Sequence, residues 1–411
     1  MRLHPMLASL TRHKLIVVLM VLTTALTSAV VTNVAVMIFH RLALLHSPSG
    51  IQESRVIAID SSSISSVAFD KSAKPRNYLP DYEADAASLL TIENVKAVAI
   101  VSGLPFEGGM GVDISSGPDA KVDEGFQSTA YLGGPGTLSA LGLRLIQGRD
   151  FVSTEYLPAK GMGNVGNVSE VIVSRALAGH LFHGGRAVGR LLYIAGHPVQ
   201  IVGVVDHLMN MGPQLGAADN EYAMLLPLEP DGSDVTFVLN VPERDRDAVL
   251  KRAVAVLANR NPTRVLDHAE EFSGVRERYF QREASMVGLM LAAALALLLV
   301  TVAGIMGLVS FWMRQRTRSI GIRRALGATR SDIFRYFLTE NFLIVSCGVA
   351  LGCVLAYGLN ILLVRYFEAE LLPVAYLSAG AAALWVAGQV AGFGPALRAV
   401  SVPPAVATRS L

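Results

Sequence analysis

ASMVGLMLAAALALLLVTVAGIMGLVSFWM (residues 284–313) runs directly into RQRTRSIGIRRALGATR (residues 314–330). A long charge-free stretch is thus followed at once by a cluster of arginines. An α-helix rises about 1.5 Å per residue and the bilayer core is about 30 Å thick, so roughly 20 apolar residues span it. Three more charge-free stretches reach that length: Leu15–Phe39, Asn341–Val364 and Leu371–Leu397. All are rich in Leu, Ala, Val and Met. Backbone groups in hydrocarbon must be satisfied within their own segment, so such stretches are helices. The sequence predicts a membrane protein with four transmembrane α-helices and a large mixed α+β extracytoplasmic domain between the first and second.

Arg12, His13 and Lys14 precede the first stretch, as basic residues precede a secretory signal. Its apolar run exceeds the roughly 7–15 residues of a signal core, and no small-x-small cleavage site closes it, so it is read as retained. The expected divisions are 1–14 for a cytoplasmic N-terminus and 15–39, 284–313, 341–364 and 371–397 for the spans. The outer domain takes 40–283, a cytoplasmic loop 314–340, and a cytoplasmic tail 398–411. Within the outer domain two lobes are expected, 40–128 with 225–283, and 129–224.

Charge orients this plan. Between Arg41 and Glu283 stand 22 Lys+Arg and 29 Asp+Glu, against 13 and 4 in the rest of the chain. Seven of those thirteen are arginines from Arg314 to Arg335. Basic loops stay in the cytoplasm, which places this loop and both termini inside and the acidic middle outside an inner membrane. The only cysteines, Cys347 and Cys353, lie in the third span. Six residues apart is about 600° around a helix, so they face different directions and no disulfide is expected. The outer domain must fold on its apolar core alone.

Its segments alternate in type. Arg55–Ile59, Leu143–Gln147, Val171–Ser174, Leu191–Ile194, Val199–Val205 and Thr236–Val241 read as strands. So does Asn94–Val101, with Val95, Ala97, Ala99 and Val101 on one face. Tyr82–Ile92 reads as a helix, as does Asp245–Asn259 with Val249, Ala253, Val256 and Leu257 buried. Ser174 is placed to cap a helix over Arg175–Phe182. Ala195-Gly-His-Pro198 is a turn between hairpin strands. Gly108, Gly109, Gly111, Gly133, Gly134 and Gly136 are expected to break regular structure. Arg264–Glu283 is charged and helix-permissive and is expected to prolong the second membrane helix outward, although Gly274 argues against a helix; Phe39–Leu45 is expected to prolong the first.

At this point the residues resemble a family, the MacB/FtsX-type (type VII) permeases of ABC transporters, over nearly the whole chain. LSALGLRLIQGRDF (138–151), VIVSRALAGHLF (171–182) and VGRLLYIAGHPVQIVGVV (188–205) are similar to the MacB-like periplasmic core domain. SIGIRRALGATRS (319–331), with Asp332, Ile333 and Glu340, is similar to the cytoplasmic signature after the second membrane helix. Ser319 departs from the pattern, which often has Glu before Ile-Gly. The resemblance implies a transport subunit that does mechanical work. A separate ABC ATPase, carrying ATP and Mg, would press on a coupling element made of Ile320, Gly321, Ile322, Arg323, Arg324, Ala325, Leu326, Gly327 and Ala328. It further implies export of a small molecule or peptide with a periplasmic adaptor and an outer-membrane channel. Lipoprotein release and FtsX-like signalling to a cell-wall hydrolase are the alternatives. A neighbouring adaptor gene would favour export and a hydrolase gene signalling. A ligand sensor would need a cytoplasmic output domain.

The loop also makes sense on its own terms. Ile322, Ala325 and Leu326 form an i, i+3, i+4 stripe, flanked by Arg323 and Arg324. Gly327 suits a helix end in the left-handed region. Thr329-x-x-Asp332 is placed to cap the next helix. The bland alternative is that the arginines only anchor helix ends to membrane lipid. No Walker A pattern (GxxxxGK[ST]) occurs, so nucleotide hydrolysis by that route is not expected of this chain and no cofactor is expected on it. Two ATPases opposed symmetrically require a second permease chain, a homo- or heterodimer. Gly348 and Gly352, and Gly388 and Gly392, form small-xxx-small pairs that permit close helix approach, within a subunit or between subunits. Asn33 and Gln389 are expected to bond neighbouring helices. Several signals carry little. Gly161-Met-Gly-Asn-Val-Gly166 precedes a strand, not a helix, and so is a poor dinucleotide site. His180 and His183 lack further ligands for zinc. Asn167-Val-Ser169 is a glycosylation sequon by pattern only. No catalytic carboxylate pair or Ser/His/Asp set stands out, and a short arginine cluster beside a membrane is no sign of nucleic acid.

Overall fold

The computed structural model describes residues 14–63, 77–115, 117, 126–160, 162–214, 217–261, 264–315, 327–367 and 374–400. The chain divides into two compact units. One is Met1–Ala43 with Glu283–Leu411, and the other is Leu44–Arg282.

The helices are α1 (Lys14–Leu45), α2 (Leu79–Leu90), α3 (Thr137–Leu141), α4 (Arg175–Phe182), α5 (Arg246–Arg260), α6 (Phe272–Gln315), α7 (Arg330–Phe367) and α8 (Val374–Val400). Among the described residues, Lys14–Leu45, Phe272–Met313 and Arg330–Leu362 are long and apolar enough to cross a membrane, and Gly380–Gly394 is a shorter apolar stretch inside α8. The strands are β1 (Val56–Ser63), β2 (Ala97–Ser102), β3 (Met110–Ser115), β4 (Phe126–Gly133), β5 (Leu145–Gly148), β6 (Leu157–Pro158), β7 (Glu170–Ser174), β8 (Leu191–Ile194), β9 (His197–Val205), β10 (Ala223–Leu226), β11 (Leu228–Glu229), β12 (Asp234–Asn240) and β13 (Arg264–Glu271).

All but β6 and β11 join one sheet, in the order β10-β7-β9-β8-β3-β4-β2-β12-β1-β13 with β5 beside β9. β10 pairs with β7 and also, in parallel, with β4 from Ala223↔Thr129 to Leu226↔Leu132. That second pairing closes β10, β7, β9, β8, β3 and β4 into a ring, which removes two sheet edges. Val112, Ile114, Ala130, Val173, Leu192, Ile201 and Met224 fill its core with Leu177 and Leu181 of α4. The strands therefore sort differently from lobes divided at 128/129: β3 pairs with β4 and β8 inside the ring.

β2, β12, β1 and β13 continue from β4 as an open sheet, with β2, β12 and the first half of β1 buried on both faces and β13 a partly exposed edge. Ile57, Ile59, Val98, Ile100, Phe237 and Leu239 meet Tyr82 and Leu89 of α2 and Val249, Ala253 and Leu257 of α5. Val56, Ala58, Ala99, Val101 and Val238 meet Leu138 and Leu141 of α3 and Phe272, Val275 and Phe280 of α6. Burial on two sides makes β2, β12 and the start of β1 read as nearly continuous apolar runs. Val95 departs from the expected face: the strand begins at Ala97, Asn94 turns through φ 71°, and Val95 joins the α2 side.

Local chemistry explains several boundaries. Ser174 Oγ accepts from Leu177 N at 3.1 Å, capping α4. The β8–β9 hairpin pairs Ile194 with His197 across Ala195 and Gly196, whose φ values of 48° and 84° give the two-residue turn that matches strand twist. The turn is thus shorter than Ala195–Pro198. Two expectations are corrected. Arg264–Glu271 is a strand, not a helical stalk, because it completes β1 as an antiparallel neighbour; the helix starts at Phe272 and passes through Gly274. The glycine-rich stretch around Gly108–Gly136 carries β3 and β4, with Gly111 inside a strand.

Arg264 and Asp85, 1% and 3% exposed, form an ion pair at 2.5 Å; Arg260 Nε donates to Asp85 Oδ1 at 2.7 Å. Arg264 also lies over the rings of Tyr82 and Phe237. A buried charge stripped of its partner is costly. Asp85→Ala should lower the unfolding free energy of this domain by about 3–5 kcal/mol, read by denaturant titration of the full chain in detergent.

Candidate coupling site

The arginine-rich stretch is described only at its two ends, residues 314–315 closing α6 and Gly327 onward leading into α7. Ile320, Gly321, Ile322, Arg323, Arg324, Ala325 and Leu326 lie outside the described residues. Gly327 has φ +99°, a backbone that side chains with a Cβ rarely adopt. Two residues later a reciprocal cap starts α7. Asp332 N donates to Thr329 Oγ1 at 3.2 Å, and Thr329 N donates to Asp332 Oδ2 at 3.0 Å. Free backbone donors of the first helical turn are thereby satisfied and the chain direction is set. Ala328 packs against an apolar cluster drawn from four helices, including Met20 of α1, Val309 and Trp312 of α6, Ile333 and Phe337 of α7, and Ala391 of α8.

The glycine pairs sit at helix crossings inside the chain. A Cβ on Gly348 would lie 2.7 Å from Thr24 Cβ, and one on Gly352 would lie 2.4 Å from Ser28 Cβ, so both let α7 approach α1. Gly388 and Gly392 of α8 lie as tightly against Val345 and Asn341 of α7. Polar side chains supply the remaining links. Asn33 Nδ2 donates to Ala356 O at 3.2 Å, Asn341 Nδ2 to Gly388 O at 3.0 Å, and Thr27 and Thr301 hydroxyls meet at 2.6 Å. Asn341 Nδ2 also reaches Gln389 Oε1 at 3.5 Å. Arg41 pairs with Glu283 between α1 and α6. The serine and threonine positions of α1 carried no helix-pairing signal by themselves; their spacing opposite the α7 glycines does.

The other cluster with unusual electrostatics lies in the α/β domain. Glu107, in the β2–β3 loop, faces Asp60 of β1, Arg278 of α6 and Glu270 of β13. Burial first, then the charge and hydrogen bond of Asp60, push its carboxyl up to about 7, against the pull of Arg278. His180 of α4 is spent on packing, edge-on to Phe126 at 4.7 Å.

The long apolar helices and the large α/β domain inserted after the first of them define an integral membrane permease with a periplasmic-type domain. Residues 17–257 match the MacB-like periplasmic core domain, and residues 291–404 match the FtsX-like permease C-terminal region. The chain belongs to the MacB/FtsX family of ABC-type permeases. It is 30% identical over 231 residues to the pyoverdine export ATP-binding/permease protein PvdT of Pseudomonas savastanoi, covering 54% of this chain and 35% of PvdT. It is 26% identical over 244 residues to the macrolide export ATP-binding/permease protein MacB of Chromobacterium violaceum, covering 57% and 37%. The chain thus spans only about a third of the length of these relatives, 35% and 37%. The solved periplasmic region of MacB from Actinobacillus actinomycetemcomitans aligns with 56% of this chain and 94% of its own length, at 13% identity and a TM-score of 0.36.

Two outcomes follow from this geometry. Gly352→Leu should overpack the α1–α7 crossing and cost at least about 1–3 kcal/mol, lowering the melting temperature of the detergent-solubilised chain. Gly358→Leu, on the same helix with open space around it, should leave the melting temperature unchanged. Glu107 has a second signature. A carboxyl raised on folding contributes stability that is complete below its unfolded pKa and vanishes as pH rises through about 7. Thermal stability should therefore fall from pH 5 to pH 8, and Glu107→Gln should flatten that slope.

Proposed function

We propose that this chain is the permease subunit of an ABC transporter whose ATP is hydrolysed by a separate ATPase. The Ile320–Ala328 element receives the push of that ATPase. The helix bundle carries it to the α/β domain, which drives a small molecule or peptide outward. Four spans with both termini in the cytoplasm, a second permease chain, a periplasmic adaptor and an outer-membrane channel complete the assembly. ATP and Mg act on the partner. The observation that carries the reading is the joint family match: a MacB-like core domain and an FtsX-like permease region in one chain, in that order. The charge asymmetry of the sequence supports the orientation. The pyoverdine and macrolide exporters among the relatives support export over lipoprotein release or signalling.

Co-purification in detergent tests this. An ABC ATPase should travel with the chain. Replacing Arg323 and Arg324 by Glu should remove it; undiminished recovery would leave those arginines to lipid alone. Gly327→Val should abolish ATP-driven transport while membrane insertion is preserved, since the left-handed backbone excludes a β-branched residue.

A further inference from the structure

Side chains link the helices that lead into the α/β domain: Arg41 of α1 pairs with Glu283 of α6, and Arg276 of α6 holds the end of α1 itself. α1 ends at Leu45, and the last turn of a helix leaves carbonyls for donors beyond it. Arg276, in the second turn of α6, supplies one. Its Nη2 donates to Leu45 O at 2.7 Å and to Ser47 O at 2.6 Å, and its Nη1 donates to Glu53 Oε1 at 2.5 Å. Glu53 is itself held by Ser49 Oγ at 2.6 Å. The planar guanidinium therefore closes a helix C-terminus, where a cation is favoured, and an ion pair in the same stroke. Its carbon lies 5.2 Å from the Phe106 ring centroid and 5.6 Å from that of Phe280, so the guanidinium rests against this aromatic pair. Phe106 is buried, holds φ +72°, and packs its ring on Phe272, Tyr279 and Phe280 of α6. A non-glycine residue in that region is a cost the fold carries to keep the ring in place.

Every one of these Arg276 partners lies in the Leu44–Arg282 unit, so the clasp is a property of that unit alone. Lysine cannot reproduce it, because a point charge cannot serve two carbonyls and a carboxylate while stacking on a ring. Arg278, two residues on and about 200° around the helix, binds Glu107 and Glu270 instead, so it serves as a control from the same helix.

We propose that Arg276 is the positioning residue of force transfer: it fastens the end of α1 to the start of α6 so that the two helices displace together. The inference rests on the permease reading for the source of the force, and the clasp itself can be measured without it.

The test uses the full chain in lipid nanodiscs with its co-purified ATPase. Nitroxides are placed at Pro48 and Glu277 on a Cys347→Ser, Cys353→Ser background, and distances are measured by pulsed electron resonance with and without Mg-ATP. The unaltered clasp should give one narrow distance that nucleotide does not change. Arg276→Gln should broaden the distribution by several ångströms and make it shift with Mg-ATP while ATP turnover continues. Arg276→Lys should fall between, and Arg278→Gln should match the parent. An Arg276→Gln distribution as narrow and nucleotide-insensitive as the parent overturns the proposal. So does equal broadening in Arg278→Gln, which would mean general loosening. Absence of any co-purified ATPase would count against the permease reading, whereas the nucleotide-free distances would still decide the clasp.

Discussion

Apolar helices in a lipid-like medium gain little from burying leucine against one another, so close backbone approach and a few interhelical hydrogen bonds decide how they pack. Here that constraint falls on α1. Thr24 and Ser28 meet Gly348 and Gly352 of α7, Thr32 meets Gly380 of α8, and Asn33 reaches the carbonyl of Ala356. No larger residue fits at those glycines without displacing α1. The same helix runs on to Leu45, at the edge of the α/β domain. α7 in turn begins at the Thr329–Asp332 cap, directly after the arginine-rich stretch. α7 therefore joins the Thr329–Asp332 cap to its crossing with α1.

The α/β domain is built to resist deformation. Six strands close into a ring, and the central strands β2 and β12 of the open sheet are covered on both faces. A push delivered to such a body displaces it more readily than it bends it, as the proposed transport role requires. The buried Asp85–Arg264 pair fixes the first residue of β13 to α2. The Arg276 clasp and the Glu107 cluster both sit where α6 leaves the sheet.

Much of this was legible in the residues. Long charge-free stretches, the Ser174 cap, the β8–β9 hairpin and the buried face of α5 each rest on neighbours in sequence, and periodicity reports neighbours. What failed to show was long-range. The closure of the ring depends on β10 meeting β4, nearly a hundred positions away, and neither strand records the other. β13 is charged enough to look helical, and pairing with β1 overrides that propensity. β3 and β4 were hidden by glycines that serve close strand packing, as at Gly109 beside Thr129. Of the candidate site, the flanking turn and cap at Gly327–Asp332 followed from local chemistry. The role of Arg276 did not, since a single arginine in a charged segment looks like any other until its carbonyl partners are known.

The central claim is that a separate ATPase acts on the Ile320–Ala328 element from the cytoplasmic side. A photo-crosslinking residue placed at Ile322 in living cells, followed by identification of its adducts, tests it most directly. The account predicts an adduct with a nucleotide-binding polypeptide whose yield changes when ATP hydrolysis is trapped. Adducts with lipid alone, or reaction of this position with a membrane-impermeant reagent applied from outside, would contradict it.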